Sequence, residues 1–190
     1  ESSKVLAVKG RVLPASTAHV RLDATMEAGT VVEGESRIPE VHKRIRRVHL
    51  SPEKVKPVQS ALDAIRNADA IVLGPGSLYT SIMPNLLVEG VAETLRKSKA
   101  VKIYICNVMT QPGETDGYTA SMHVKAILDH AGRGAIDYVL VNSTPISPEL
   151  EAYYAERGAY PVIVDEDELN ELGVGFIKAD IISETEVVHH

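Results

Sequence analysis

Beyond residue 60 this chain is organised by four short apolar runs, at residues 70–73, 101–106, 136–141 and 161–164. Helical patterns separate or follow them. Residues 90–98 carry one, and residues 120–131 carry another with Val124, Ile127, Leu128 and Ala131 on one face. A third, at 148–157, is capped by Ser147 and stopped by Gly158, and a fourth, at 165–172, stops at Gly173. Runs of this length and apolarity read as buried strands. Crossovers long enough to hold a helix return the chain parallel to itself. The pattern therefore predicts an α/β fold, a doubly wound, mostly parallel sheet in three layers with helices on both faces. The runs at 70–73, 101–106 and 136–141 should lie parallel, with right-handed connections.

Residues 1–50 read differently. Val20, Leu22 and Ala24 alternate with His19, Arg21 and Asp23, which gives one apolar and one polar face. Glu27-Ala28-Gly29 supplies a turn, and residues 30–35 return as the second arm of a hairpin. A further β-rich run at 43–50 leads to Ser51-Pro52-Glu53, a helix-start signal. A clearer helix follows Pro57, with Val58, Ala61, Leu62 and Ile65 on one stripe. The expectation is one α/β domain over residues 1–190, β-rich over 1–50 and alternating over 57–190, with an appended β-hairpin or meander. A chain of 190 residues is within the range of one compact domain. Charge divides near residue 60: residues 1–60 hold 11 basic and 7 acidic side chains, the remainder 9 and 19.

Composition removes several function classes. The net charge of −6 has the wrong sign for a duplex-binding module. Eight aromatics are too few for a single-strand binder built on stacking platforms, so no nucleic-acid partner is expected. Residues 71–88 form 18 positions without a charge, yet Gly74, Pro75, Gly76 and Pro84 interrupt them, and a membrane span is not expected. No secretory signal pattern opens the sequence, and one cysteine, Cys106, suits a reducing compartment. A cytoplasmic protein is expected.

Ligands of open α/β sheets sit outside the carboxyl ends of the strands. Two strand ends here carry unusual loops. The first is Leu73-Gly74-Pro75-Gly76-Ser77-Leu78-Tyr79-Thr80-Ser81. Gly76, Ser77 and Leu78 can offer backbone N–H groups to an anion; Pro75 has none to offer. GxGxxG fails because Tyr79 stands where the third Gly belongs, and the P-loop and GxSxG patterns fail as well. The loop reads either as an anion site or as a tight turn closing a buried strand. The second loop, residues 106–119, is long and polar. Asn107, Thr110 and Gln111 suit recognition of a base or sugar. Glu114 and Asp116 suit acceptance from sugar hydroxyls or a share in holding hydrated Mg²⁺. The alternative gives Asp116 or Thr119 to capping the next helix.

Other features point less far. The seven His show neither HxH nor HExxH spacing, so no zinc site is expected. Lys43-Arg44-Ile45-Arg46-Arg47 reads as a solvated strand edge. Acidic residues from Asp165 to Glu168 suit a helix start. Cys106, inside an apolar run, reads as core.

The strings Gly-Pro-Gly-Ser-Leu-Tyr-Thr-Ser (74–81) and Cys-Asn-Val-Met-Thr-Gln-Pro-Gly-Glu-Thr-Asp-Gly-Tyr-Thr-Ala-Ser (106–121) resemble the bacterial gluconeogenesis factors. These are the YvcK-like branch of the 2-phospho-L-lactate transferase-like superfamily. Val12-Leu13-Pro14-Ala15-Ser16 and Pro161-Val162-Ile163-Val164-Asp165 resemble that branch too, so the likeness runs along the whole chain. Family members normally open with a Gly-rich strand–loop–helix ahead of an Asp-Asp-Gly segment, and neither is matched here. The resemblance thus implies the central and C-terminal part of a larger family fold. His189-His190 stands where the family often has an Arg-His pair.

The resemblance implies a nucleotide site on top of the sheet. In the gluconeogenesis-factor branch the implied ligand is a UDP-sugar, in a regulatory role linking carbon supply to cell-wall synthesis and cell shape. The ligand-binding set is then Gly74, Gly76, Ser77, Leu78 and Tyr79 on the first loop. Asn107, Thr110, Gln111, Glu114, Thr115 and Asp116 provide it on the second. In the transferase branch a nucleotide diphosphate ester is used with Mg²⁺, which Asp116 or Glu114 would hold. No catalytic residue is expected on the regulatory reading, and a homo-oligomer is compatible with either.

Overall fold

The computed structural model describes residues 10–182, so His189 and His190 lie outside the described residues. It contains two sheets. The first is antiparallel: β1 (Arg21–Met26) lies between β2 (Val31–Glu33) and β3 (Ile45–Ser51). The second is parallel, with β4 (Ala70–Leu73), β5 (Val101–Ile105), β6 (Tyr138–Asn142) and β7 (Gly175–Ala179) in sequential order. Helices α1 (Gln59–Arg66), α2 (Met83–Leu86), α3 (Val91–Lys97), α4 (Ala120–Ala131), α5 (Pro148–Ala155) and α6 (Glu166–Glu171) flank it. The α/β class, the parallel strands and the appended antiparallel sheet are those expected.

Alternation sets the antiparallel sheet. Leu22, Ala24 and Met26 of β1 are buried, and so are Ile45, Val48 and Leu50 of β3. Asp23 is on the polar parity of β1 yet is also buried, because Arg21 Nε and Nη2 donate to its two carboxylate oxygens at 2.7 and 3.0 Å and the Gly34 N–H joins at 3.1 Å. The Arg21 guanidinium outweighs burial and brings the Asp23 carboxyl below the ordinary value of 3.8. A register shift at Thr25/Met26 lets Arg46 and Arg47 both face water, which strict alternation forbids.

Three elements differ from the reading of the sequence. Ser51-Pro52-Glu53 starts no helix, since Ser51 is still paired with Arg21 at the end of β3. Residues 161–164 form no buried strand. Their neighbourhood pairs with the polar loop instead, through an isolated antiparallel bridge between Met109 and Pro161, and Ile163 is 68% exposed. The fourth parallel strand is β7, beyond Gly173. The uncharged stretch 71–88 folds as β4, a π-helical turn (Leu78–Ile82) and α2, burying Leu78, Tyr79, Ile82, Met83 and Leu86.

One core joins the sheets through the helices. His130 on α4 makes the connection polar as well. Its Nε2 accepts from the Val48 N–H of β3 at 3.0 Å, and its Nδ1 is 2.7 Å from the Ala126 carbonyl. An Nε2 that accepts must be unprotonated, so Nδ1 carries the hydrogen and the ring is neutral. Burial lowers the His130 pKa below its ordinary 6.5; the Ala126 carbonyl and Asp129 oppose that shift, while the nearby Arg47 adds to it. A depressed folded-state pKa means that the unfolded chain takes the proton first, so this contribution is full above 6.5 and is lost as pH falls below it. His130→Leu should cost about 1–3 kcal/mol at pH 7.5 by stranding the Val48 donor. The gap between wild type and variant, read as urea midpoints, should narrow at pH 5.5. A gap independent of pH would refute the neutral linkage.

Candidate functional site

Leu73 and Tyr104 are partners in the β4–β5 ladder, so the chain leaves both strands at the same end of the sheet. The two sequence-marked loops therefore meet. Asn107 Nδ2 donates to the Gly76 carbonyl at 3.2 Å, and Asn107 Oδ1 accepts from the Tyr104 hydroxyl at 3.3 Å. Glu114 makes the stronger tie. Its Oε2 accepts from the Tyr79 N–H at 3.2 Å, while Oε1 accepts from Thr80 Oγ1 at 2.7 Å and Gln111 Nε2 at 3.1 Å. Burial pushes the Glu114 carboxyl above the ordinary carboxylate range, and the donors from Thr80 and Tyr79 restrain the rise.

Glu114 thereby holds the start of a π-helical turn. The Ser77 carbonyl accepts from both the Ser81 and Ile82 N–H groups, each at 3.0 Å. Upstream, the N–H groups of Gly76, Ser77 and Leu78 find no acceptor among the described residues. The demand for positive φ falls on Gly74, at 95°, where a Cβ would come within 3.2 Å of the Ile105 carbonyl. Gly76, at 159°, is close to extended; a Cβ there would meet the Ser81 Cβ at 3.2 Å.

Much of the second loop holds itself together. Thr110 is buried, donates its N–H to the Tyr160 carbonyl at 2.7 Å and accepts the Tyr160 N–H on Oγ1 at 2.9 Å. Thr115 is buried and accepts the Gln111 N–H at 2.8 Å, and exposed Asp116 accepts the Gly113 N–H at 2.7 Å. Gly113 is required by close approach, since a Cβ there would lie 1.9 Å from the Pro39 carbonyl oxygen. Tyr79, also buried, shares a 2.9 Å hydroxyl contact with Tyr118. Of the sequence-marked residues, Gly76, Ser77, Leu78 and Asn107 keep groups free or facing open space. Tyr79, Thr110, Gln111, Glu114 and Thr115 hold the loops in place.

Asn107 also lines a cavity of about 380 Å³ between the ends of β5 and β6. Its far wall is Asn142-Ser143-Thr144, closed by Asx-type bonds between Asn142 Nδ2 and the Thr144 carbonyl at 2.6 Å and between the Thr144 N–H and Asn142 Oδ1 at 3.3 Å. Sequence reasoning passed over this wall, although a polar run directly after an apolar strand is the signal that marked the other two loops. The N-terminus of α4, by contrast, is taken. Asp165 accepts from the Ser121 N–H at 2.9 Å and from the Ser121 hydroxyl. Burial works to raise the Asp165 carboxyl, but the Ser121 and Thr119 hydroxyls and the Ser121 N–H bring it below its ordinary value.

Cys106 is buried, and burial pushes its thiol up to about 12, so it is no thiolate nucleophile at neutral pH. Of the Mg²⁺ donors considered from the sequence, Glu114 spends both oxygens on protein donors, whereas Asp116 is exposed and gives one oxygen to the Gly113 N–H. No group of three or more His, Cys, Asp or Glu that could hold a metal occurs among the described residues. Nor is any described helix long and apolar enough to cross a membrane.

Free backbone donors and a cavity at the carboxyl ends of a parallel sheet's strands lie where α/β folds of the Rossmann-like kind hold their ligands. Comparison with known proteins narrows this. The chain belongs to the family of 2-phospho-L-lactate transferase CofD, whose profile matches residues 1–182. It is 55% identical over 191 residues to the gluconeogenesis factor of Halalkalibacterium halodurans, covering 100% of this chain and 59% of that protein. To the gluconeogenesis factor of Bacillus subtilis it is 52% identical, covering 100% of this chain and 60% of the relative. A crystal structure of a Bacillus halodurans protein superposes with a TM-score of 0.94 at 56% identity, over 97% of this chain and 59% of that one. The chain thus spans about three fifths of the length of these relatives.

The Glu114 tie has a direct test. Glu114→Gln exchanges one acceptor oxygen for an NH₂ that faces donors, and should cost about 1–3 kcal/mol of stability. Amide exchange at residues 76–79 should quicken more than exchange in β5. Equal rates in wild type and variant would show that Glu114 does not hold the turn.

Proposed function

We propose that this protein is a regulatory binder of a nucleotide-sugar, a UDP-sugar, and acts as a gluconeogenesis factor needed for cell-wall synthesis and cell shape on gluconeogenic carbon sources. One observation carries the reading. Three successive backbone N–H groups, those of Gly76, Ser77 and Leu78, lack a described protein acceptor and adjoin Asn107, which lines the 380 Å³ cavity. Such a row of donors suits the diphosphate. The cavity, polar on its Asn107 and Asn142–Thr144 walls, suits the sugar or base. The names of the relatives, gluconeogenesis factor, support the link to gluconeogenesis; the cell-wall and cell-shape role and a cytoplasmic setting extend the resemblance carried by residues 74–81 and 106–121. The family name favours a second reading, transfer of a phosphoester group from a nucleotide diphosphate ester. On that reading Glu151, which lines the cavity, is the carboxylate available as a base.

Thermal-shift screening with UDP-sugars, GDP and GTP tests the reading. A ligand at a hundred times its dissociation constant should add about 2.7 kcal/mol of stability. Gly76→Val drives side-chain bulk toward Ser81 and the donor row, and should weaken binding roughly tenfold or more, the equivalent of one charge-assisted N–H contact. Ser77→Ala, which keeps its N–H, should do less. If no nucleotide shifts the midpoint, the reading fails. Unchanged affinity in folded Gly76→Val protein would move the diphosphate elsewhere.

A further inference from the structure

A second cavity, of about 340 Å³, lies between β3 and α4. Arg44, Ile45 and Arg46 form one wall, and Lys125, Ala126 and Asp129 form the other. It shares no lining residue with the cavity at Asn107. The bulge in β3 shapes the first wall. Met26 pairs with Ile45 and Thr25 with Arg47, so Arg46 is the extra residue, without a partner across the ladder. Bulges re-aim such a side chain and are over-represented beside active sites. Arg47 donates to the Asp129 carbonyl at 3.2 Å, whereas neither Arg44 nor Arg46 has a hydrogen-bond or ion-pair partner among the described residues.

Tyr79 and Tyr118 also line this cavity. Their hydroxyls are 2.9 Å apart and have no other partner among the described residues. Two hydroxyls joined by one hydrogen bond use one of their two hydrogens, which leaves one O–H without a protein acceptor. Tyr79 is 2% exposed, so the pair is anchored in the interior. Burial raises the Tyr118 pKa; the Tyr79 hydroxyl and Arg44 pull it down, and Glu27 pushes it up. Arg44 and Glu27 therefore lie close to the hydroxyl pair, and an acceptor that reaches Arg44 in the cavity also reaches the spare O–H.

The charges at the cavity are of both signs. Lys125 Nζ and the Asp129 carboxylate neutralise one another at 2.6 Å. Two guanidinium groups then stand against one carboxylate, Glu27, which lines the same cavity and has no side-chain partner among the described residues. Guanidinium forks match phosphate oxygens. A carboxylate accepts from hydroxyls and repels a bare anion. One kind of ligand satisfies both, a phosphate joined to a hydroxyl-bearing carbon skeleton. We propose that this cavity is a binding site for a sugar phosphate or polyol phosphate, whose phosphate takes Arg44, Arg46 and the spare tyrosine O–H and whose hydroxyls donate to Glu27. The proposal is independent of the nucleotide-sugar reading, which concerns the cavity at Asn107.

Isothermal titration with glucose 6-phosphate, glycerol 3-phosphate, inorganic phosphate and glucose tests it. At least one of the two phosphate esters should bind, inorganic phosphate more weakly and glucose not at all. Arg44→Gln/Arg46→Gln should weaken binding of the ester roughly tenfold or more, the equivalent of one charge-assisted contact. Both arginines are exposed and unpartnered among the described residues, so the urea midpoint of this variant should match wild type. Tyr118→Phe, which removes one of the two hydroxyls, should weaken the ester less than the double variant does. Gly76→Val should leave ester binding unchanged. Failure of both esters to bind wild type would overturn the proposal, as would unchanged affinity in folded Arg44→Gln/Arg46→Gln protein. Loss of ester binding in folded Gly76→Val protein would overturn it too, by placing the phosphate on the donor row. Equal affinity for inorganic phosphate and the esters would overturn the assignment of ligand class.

Discussion

A buried carboxylate at the junction of two strand-end loops sets the geometry on which the candidate site depends. Glu114 accepts the Tyr79 N–H and the Thr80 hydroxyl on one side and the Gln111 amide on the other. Burying a carboxylate is expensive, and its raised pKa records that expense. The donors offset it only in one arrangement, with the chain after Gly76 already turning into its π-helical coil. That arrangement aims the N–H groups of Gly76, Ser77 and Leu78 away from protein acceptors. Loss of one donor would leave a buried charge short of partners, so the arrangement is held as a unit. The loops are pre-set, and a ligand need not supply the free energy of ordering them.

The strands β4, β5 and β6 were legible from apolar runs of the right length, and α4 from its single-faced stripe, because burial leaves those signatures whatever the tertiary context. Residues 161–164 carried the same signature and misled. Apolar character shows that a segment avoids water but not which partner it pairs with. Here the backbone of 160–162 pairs with 108–110, giving Thr110 and Val108 their acceptors and donors. The real fourth strand, β7, is weakly apolar, its side chains split between a half-buried Phe176 and an outward Ile177. Ser51-Pro52-Glu53 failed for a comparable reason: the ladder with β1 extends through Ser51, and pairing outweighs local capping preference.

At the site, the location was legible and the division of labour was not. The strand-end rule and the composition of residues 74–81 and 106–119 brought forward two loops that the structure joins. Side chains such as Thr110, Glu114 and Thr115 looked like ligand readers because the same donors and acceptors that read a ligand also close a loop. Only the hydrogen-bond partners distinguish the two uses. Glycine is the more informative residue here. Gly113 marks a place where backbone meets the Pro39 backbone, and Gly74 marks the turn out of β4.

The two sheets treat solvent differently, and that difference bears on how the site is built. On the antiparallel sheet, β3 turns Arg46 and Arg47 to water. The parallel sheet carries Val, Ile, Leu and Tyr on its outward parity instead. Both loops of the candidate site spring from strands of this second sheet, β4 and β5. Those loops are fixed from within, by the helix-side burial of Tyr104 and by the Glu114 contacts that join them.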